Sequence, residues 1–354
     1  MTKVFCHIVI ALVCSLFSGV VHAEDSISWQ ELNSKTETLL RNGKYREGLE
    51  TARAALELSQ KTFGSNHPNV AKSLTILGTL QWRLGQHDES ETSLNKALAI
   101  RQKALGEQHL DVATTLNEIG LLYNDQSKFT QAEAQLKLAL GILSSKLGEN
   151  FSQSPEVATT LNNLGLVSKA QGKYSEAAAL FKQSLDIYEK VYGADHPNVA
   201  YPLNNLAFLS CEEAKFEESE PLAKRALSIR EKSLGANHPE VAVSLDQLAE
   251  IYLNQRKFRE AEPLFKRALN IRERVFGPDH QEVAISLNNL GWLYGEQLQY
   301  ETAEMFIKRS LDLRERLLGK DSLDVAKSLN NLGWLYTLKC SYSEAESPLK
   351  RALA

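Results

Sequence analysis

A repeat of 42 residues runs through most of this chain, and nothing else in the sequence narrows the possible folds so far. Glycines stand at Gly64, Gly106, Gly148, Gly193, Gly235, Gly277 and Gly319, each 42 after the last except for one gap of 45. A Val-Ala pair keeps step with them at Val70, Val112, Val157, Val199, Val241, Val283 and Val325. The three extra residues fall within Glu149 to Ser154, in a connection rather than a helix. Seven coherent units of this size mean an array in which each unit buries its apolar face only against its neighbours. The 354 residues would otherwise suggest two or three domains. Here they reduce to one elongated array, whose stability is expected to be close to a sum of repeat and neighbour-interface contributions.

One unit shows its own secondary structure. Leu287, Leu290, Gly291 and Tyr294 follow the i, i+3, i+4, i+7 spacing of one helical face, and Ala303, Ile307 and Ser310 give a second stripe of the same kind. Gly277 and Gly319 stand where helices end, and the spacing predicts a left-handed C′ residue at each. Pro68, Pro197 and Pro239 stand where the next helix begins, where a missing N–H costs little. Small residues recur on the first helix (Gly78, Gly120, Gly165, Ala207, Ala249, Gly291, Gly333) and on the second (Ser90, Ala132, Ala177, Ser219, Ala261, Ala303, Ala345). They predict close helix–helix approach. An aromatic introduces most second helices, from Tyr45 to Tyr342, with His87 as the exception. The expected fold is all-α, a right-handed superhelical solenoid of about eight antiparallel helix pairs.

These residues resemble the tetratricopeptide repeat. The 42-residue period, with His238-Pro-Glu-Val-Ala, Ser286-Leu-Asn-Asn-Leu and the run Ala261 to Leu269, is similar to the kinesin light chain subclass. The resemblance spans about residues 28–354. It implies a scaffold that binds protein segments in a concave groove, and it does not imply a motor: an export signal and the lack of coiled-coil heptads both contradict that role.

The segment 1–23 has the pattern of a secretory signal: Lys3, an apolar run from Val4 to Val21, and small residues at Val21 and Ala23. The mature chain is expected to start at Glu24 and to be periplasmic or extracellular. An uncleaved anchor is the competing reading, since the run is barely long enough to span a bilayer, and it would be the only membrane contact. Residues 24–63 read as a degenerate capping repeat, with a polar first helix around Leu32 and Leu39, and residues 64–354 as the array proper. The last unit stops at Ala354 inside its second helix without a polar cap. That leaves open a truncated chain or an end covered by a partner or a second copy.

Chemistry is sparsely provided. Lys plus Arg is 40 against 44 Asp plus Glu, a net charge of −4, too acidic for a nucleic-acid partner whose affinity comes from phosphate contacts. His67, His109, His196, His238 and His280 share one repeat slot; a single ion needs ligands about 2 Å away, so turn and cap roles are expected, with no metal. Cys211 and Cys340, three repeats apart, are expected as free, half-buried thiols. No phosphate loop or catalytic constellation is present, so the reading is non-enzymatic, with no cofactor and no small-molecule substrate. Glu262/Lys266, Glu304/Lys308 and Glu346/Lys350 have the i, i+4 spacing of a solvated face. Arg230, Arg272 and Arg314, each followed by a glutamate, read as ion-paired surface.

The face of the first helices opposite the core stripe carries the candidate binding residues: Asn117, Asn162, Asn163, Asn204, Asn205, Phe208, Asp246, Glu250, Asn288, Asn289, Trp292, Glu296, Asn330, Asn331 and Trp334. A primary amide both donates and accepts, which suits the backbone of an extended peptide, and flat aromatics supply anchor points. The competing role for the amides is hydrogen bonding that stabilises the repeats, since in the resembling family they belong to the repeat consensus. Kinesin light chain grooves include arginines that help receive acidic, tryptophan-containing segments. Here Glu212, Asp246, Glu250 and Glu296 lie in the C-terminal half of that face, while Lys72, Arg83, Lys169 and Lys327 lie mostly elsewhere. The expected partner segment, extended or helical, is therefore apolar with Lys or Arg. Two other classes stay open: a structural module that stacks on a second copy through its C-terminal end, and an accessory array of a larger enzyme.

Overall fold

The computed structural model describes residues 28–353; the signal segment and its cleavage point lie outside the described residues. Sixteen α-helices form eight antiparallel pairs, with no strand among the described residues. The pairs are α1 (Trp29–Arg41) with α2 (Tyr45–Phe63), α3 (Pro68–Arg83) with α4 (His87–Leu105), α5 (Leu110–Asp125) with α6 (Phe129–Leu147), and α7 (Pro155–Ala170) with α8 (Tyr174–Tyr192). They continue with α9 (Ala200–Glu212) and α10 (Phe216–Leu234), α11 (Pro239–Asn254) and α12 (Phe258–Phe276), α13 (Gln281–Glu296) and α14 (Tyr300–Leu318), and α15 (Leu323–Leu338) and α16 (Tyr342–Leu353). The three-residue insertion is a 3-10 turn, Gly148–Gln153, and a second one, Pro197–Val199, leads into α9. No described helix is long and apolar enough to cross a membrane.

Each helix begins where its residues demand it. His67, His109, His196, His238 and His280 are N-caps whose ring Nδ1 accepts the N–H two residues on, at 3.1–3.2 Å. Ser28, Ser154 and Ser322 take the same slot with a hydroxyl, satisfying N–H groups that a helix start leaves free. The recurrent aromatics, and His87, are the first residues of the second helices. Gly277 and Gly319 do not adopt the left-handed helical conformation read from their position: with φ 85°, ψ 166° and φ 80°, ψ 162° they lie in the extended positive-φ region that glycine alone tolerates.

The small residues let paired helices close. A Cβ on Gly291 would lie 2.5 Å from Ile307 Cγ1, and one on Gly120 2.6 Å from Leu136 Cγ. Where the first-helix residue is Ala207, the facing position is itself small, Ala223, and both are fully buried. Ser90 and Ser219 add hydrogen bonds from their hydroxyls to the carbonyls of Gly78 and Ala207, at 2.8 and 2.7 Å.

The recurrent arginines correct the surface reading. Arg230, Arg272 and Arg314 are buried, at 2%, 3% and 6% exposure, and Arg101 joins them. Each reaches from a second helix to the next pair and donates to a hydroxyl there: Thr115, Ser244, Ser286 or Ser328, at 2.6–2.8 Å. A guanidinium carries five donors on a long stem, so one side chain can bind the neighbouring pair while its stem fills the core. The glutamates that follow them do face outward, but toward other arginines: Arg267–Glu231 (2.6 Å), Arg309–Glu273 (2.9 Å) and Arg351–Glu315 (2.5 Å). Glu262–Lys266 and Glu304–Lys308 form at 2.7 Å as spaced. The two cysteines are free but not alike: Cys211 is buried and accepts from Asn254 Nδ2 at 3.2 Å, and Cys340 is exposed.

One feature departs from a purely neighbour-to-neighbour array. The superhelix closes on itself after five pairs, so that the turns at Gly43 and Gly85 abut the loops that open α11 and α13. The Tyr45 and Phe276 rings are 5.7 Å apart, and the Arg46 guanidinium donates to the Phe276 carbonyl. His238 Nε2 lies 2.9 Å from the Arg41 carbonyl and must carry the proton, because its Nδ1 accepts from the Glu240 N–H. Arg83 pairs with Glu240 at 3.5 Å, and a Cβ on Gly43 would meet the Pro239 ring at 2.6 Å.

Candidate peptide-binding groove

The concave surface is built by the first helices α1, α3, α5, α7, α9, α11, α13 and α15. Core residues such as Leu287, Leu290 and Tyr294 are buried against the second helices, which turns the asparagine and tryptophan slots inward to the superhelix axis. Much of the asparagine row is engaged within the protein. Asn163 donates to Asn117 (3.1 Å), Asn205 to Asn162 (3.0 Å) and Asn331 to Asn288 (2.9 Å), each across one repeat, and Asn204 donates to the Ser244 hydroxyl (2.9 Å). The amides thus form a ladder from one first helix to the next rather than a row of free groups.

The C-terminal third offers the open part. Asn288, Asn289, Trp292, Glu296, Arg314, Lys327, Asn330, Asn331 and Trp334 line a hollow of about 420 Å³. The Trp334 ring fits close against α13 because Gly295 has no side chain; a Cβ there would be 2.7 Å from its Cζ3. Trp292 is exposed to 37%. Phe208, by contrast, already carries a cation, with Lys169 Nζ 4.4 Å from its ring centroid.

The charges on this face are largely matched. Asp246 is bound by Arg272, whose Nε also bonds Glu282 at 3.0 Å. Glu296 pairs with Arg256 at 3.3 Å, Lys72 with Glu37 at 2.9 Å and Lys327 with Asp324 at 2.9 Å. Glu250 is different. Burial first, then the neighbouring Glu212 and Asp246, push its carboxyl up to about 7, and Lys169 opposes them. Two groups went unnoticed in the sequence. Trp29 opens α1, is buried, and donates through Nε1 to Ser73 Oγ at 2.8 Å. Glu118 accepts from the Thr79 hydroxyl at 3.1 Å, and burial raises its carboxyl above the ordinary value. Trp29 has no counterpart in the other units, and Glu118 occupies the slot filled by Asn163 and Asn289 elsewhere; only a break in the repeat pattern could have marked either.

The family model for the tetratricopeptide repeat matches residues 36–103, 77–145, 156–232, 199–274, 240–316 and 296–354. The chain belongs to the tetratricopeptide repeat family, whose arrays are scaffolds for protein–protein interaction. Among solved structures it is similar to a Rap protein in complex with Competence and Sporulation Factor, at 15% identity over 92% of this chain and 96% of that one, TM-score 0.63. The apo form of RapI follows at 14% identity, 80% and 96% coverage, TM-score 0.57. BtubC (BKLC) from P. vanneervenii shares 22% identity over 63% of this chain and 89% of that one, TM-score 0.50. No curated protein matches the chain.

Proposed function

We propose that this protein is an exported, non-enzymatic scaffold that receives a segment of another protein in its concave groove, seated in the hollow between Trp292 and Trp334. The observation that carries this reading is that hollow: two indoles, one of them exposed, beside amides of which the Asn330 side chain makes no hydrogen bond among the described residues. Partly desolvated aromatics on a concave surface are the usual anchors of a protein interface. That one Rap structure is a complex with Competence and Sporulation Factor adds support for a concave array taking a partner. Glu212, which makes no ion pair among the described residues, and Glu250 once it ionises favour a segment that is apolar with Lys or Arg.

The mature chain, used as bait, tests this. Trp292→Ala and Trp334→Ala should each weaken capture of the partner by about 2 kcal/mol or more while the helical content stays native. A partner unaffected by both changes, or peptide arrays that select acidic segments, would move the site elsewhere. Export is tested by intact mass: a species starting at Glu24 supports it, and retention of residues 1–23 favours the anchor.

A further inference from the structure

The closure of the superhelix leaves a cavity at the seam, separate from the groove hollow. It measures about 530 Å³ and lies between α1–α3 on one side and the loops and helices around His196–Tyr201 and Arg230–Glu240 on the other. That volume is within the range of small-molecule sites. Its chemistry is one-sided. Arg230 is fully buried and spent: its Nη1 donates to the Glu240 carbonyl at 3.1 Å and the Ser244 hydroxyl at 2.8 Å, and its Nη2 meets the Glu240 carboxylate at 3.2 Å. Arg83 faces the same carboxylate at 3.5 Å, but among the described residues its guanidinium donates no hydrogen bond. The hydroxyls of Tyr45 and Tyr201 likewise make none. Burial holds the Tyr45 phenol above its ordinary range, and the Glu240 charge, then burial, do the same for Tyr201, so both remain O–H donors.

Two guanidinium groups therefore share the Glu240 carboxylate; the next carboxyl, Glu118 beside Thr79 at the cavity wall, is raised by burial toward its neutral form, so the cavity is left with a surplus positive charge and three unused donor groups around it. A ligand that completes it must bring acceptors and a single negative charge, on a body small and apolar enough to lie against two phenol rings. We propose that the seam is a binding site for an organic monocarboxylate, held by Arg83 and the Tyr45 and Tyr201 hydroxyls. A guanidinium–carboxylate pair in a partly desolvated cavity is stronger and more directional than one in water. Because Arg83 and Tyr45 belong to the first two pairs and Tyr201 to the fifth, the bound carboxylate also ties the two turns of the superhelix together. The site shares no lining residue with the hollow between Trp292 and Trp334.

The carboxylate has two sources, a free small acid or the C-terminus of a peptide. Titration calorimetry with phenylacetate, with a short peptide ending in phenylalanine carboxylate, and with its C-terminal amide distinguishes them. Benzylamine, of similar size and opposite charge, is the control. Saturable binding of phenylacetate assigns the free acid; binding of the peptide acid alone, lost in the amide, assigns the chain terminus. In either case Arg83→Gln should weaken binding at least tenfold and Tyr201→Phe severalfold, and ligand should slow amide exchange in α1 and α2. Trp334→Ala, on the far side of the groove, should leave the affinity unchanged, so failure here and failure of the groove reading are separable. Absence of binding by both carboxylates, equal affinity in Arg83→Gln with native helical content, or preference for benzylamine would overturn the proposal.

Discussion

Replacing Arg272 by methionine, and comparing it with the same change at Arg314, separates a buried staple from a surface ion pair. Methionine fills much of the same space and has no donors. At Arg272 it removes the bond to the Asp246 carboxylate, the 3.0 Å bond to Glu282 and the 2.6 Å bond to Ser286. Asp246, whose side chain is 14% exposed, is left without its counter-charge. Breaking a buried pair in this way costs about 3–5 kcal/mol. Arg314 bonds only the Asp324 carbonyl at 2.9 Å and the Ser328 hydroxyl at 2.8 Å, so its loss should cost about 1–3 kcal/mol. Burial alone lowers the Arg314 pKa, whereas that of Arg272 is raised, by Asp246 and then Glu282 against the burial, in keeping with that difference. Urea denaturation gives the free energies, and amide exchange in α12 and α13 shows whether the Arg272 loss is local. The pH dependence has a definite sign. Burial already raises Asp246 above its ordinary value of 3.8 despite Arg272. Without Arg272 the native carboxyl holds its proton higher still, while the unfolded one ionises near its ordinary value. The deficit of Arg272→Met should therefore grow as pH rises from about 4 toward 7. Adding Asp246→Asn should recover part of it. If both single variants stay within about 0.5 kcal/mol of the native protein, as surface changes do, the staple argument is wrong.

Three further outcomes can be measured. Leu298 is exposed to 68% and sits at φ 62° in the α13–α14 turn, a slot held by glycine in three other pairs (Gly43, Gly85, Gly172) and by Ser127, Ala214, Arg256 and Cys340 in the rest; Leu298→Gly should stabilise by about 1 kcal/mol in urea denaturation, and a loss would show that its side chain matters there. Gly291→Ala should cost about 1–3 kcal/mol by overpacking against Ile307, and Ile307→Ala should relieve the clash, reproducing the Ala207/Ala223 arrangement; additive losses would refute it. Glu250, pushed up to about 7, keeps its proton in the native chain between its ordinary 4.5 and about 7. Its contribution is lost as pH rises through that window, so Glu250→Gln should flatten the stability profile and be the more stable protein at pH 8. An unchanged slope would place the ionisation elsewhere.

The pairs, their small-residue contacts and the histidine caps were legible because each depends on local spacing. A helical stripe, an N-cap and a missing Cβ act within one repeat, and seven copies make them visible. The arginines were misread because adjacency in sequence, Arg272 beside Glu273, is not adjacency on a helix; their partners lie in the next pair. The asparagine ladder was open to either role in the sequence, since hydrogen bonding between first helices depends on how far one pair rotates over the next. The seam was invisible for the same reason. It depends on small rotations summed over five connections, and no residue encodes that sum.

That sum has a bearing on which length changes the array can absorb. The turns at Gly43 and Gly85 reach the loops before α11 and α13 because five pairs separate them. Inserting or deleting one pair anywhere between would swing the far loops by about a fifth of a revolution and separate Arg41 from His238 and Arg83 from Glu240. Copies added after α14 would disturb none of this. The protein thus has a stretch whose count is locked and a tail whose count is free, although every unit follows one pattern. Duplication of repeats, the ordinary way such arrays grow, is open to it only outside the locked stretch.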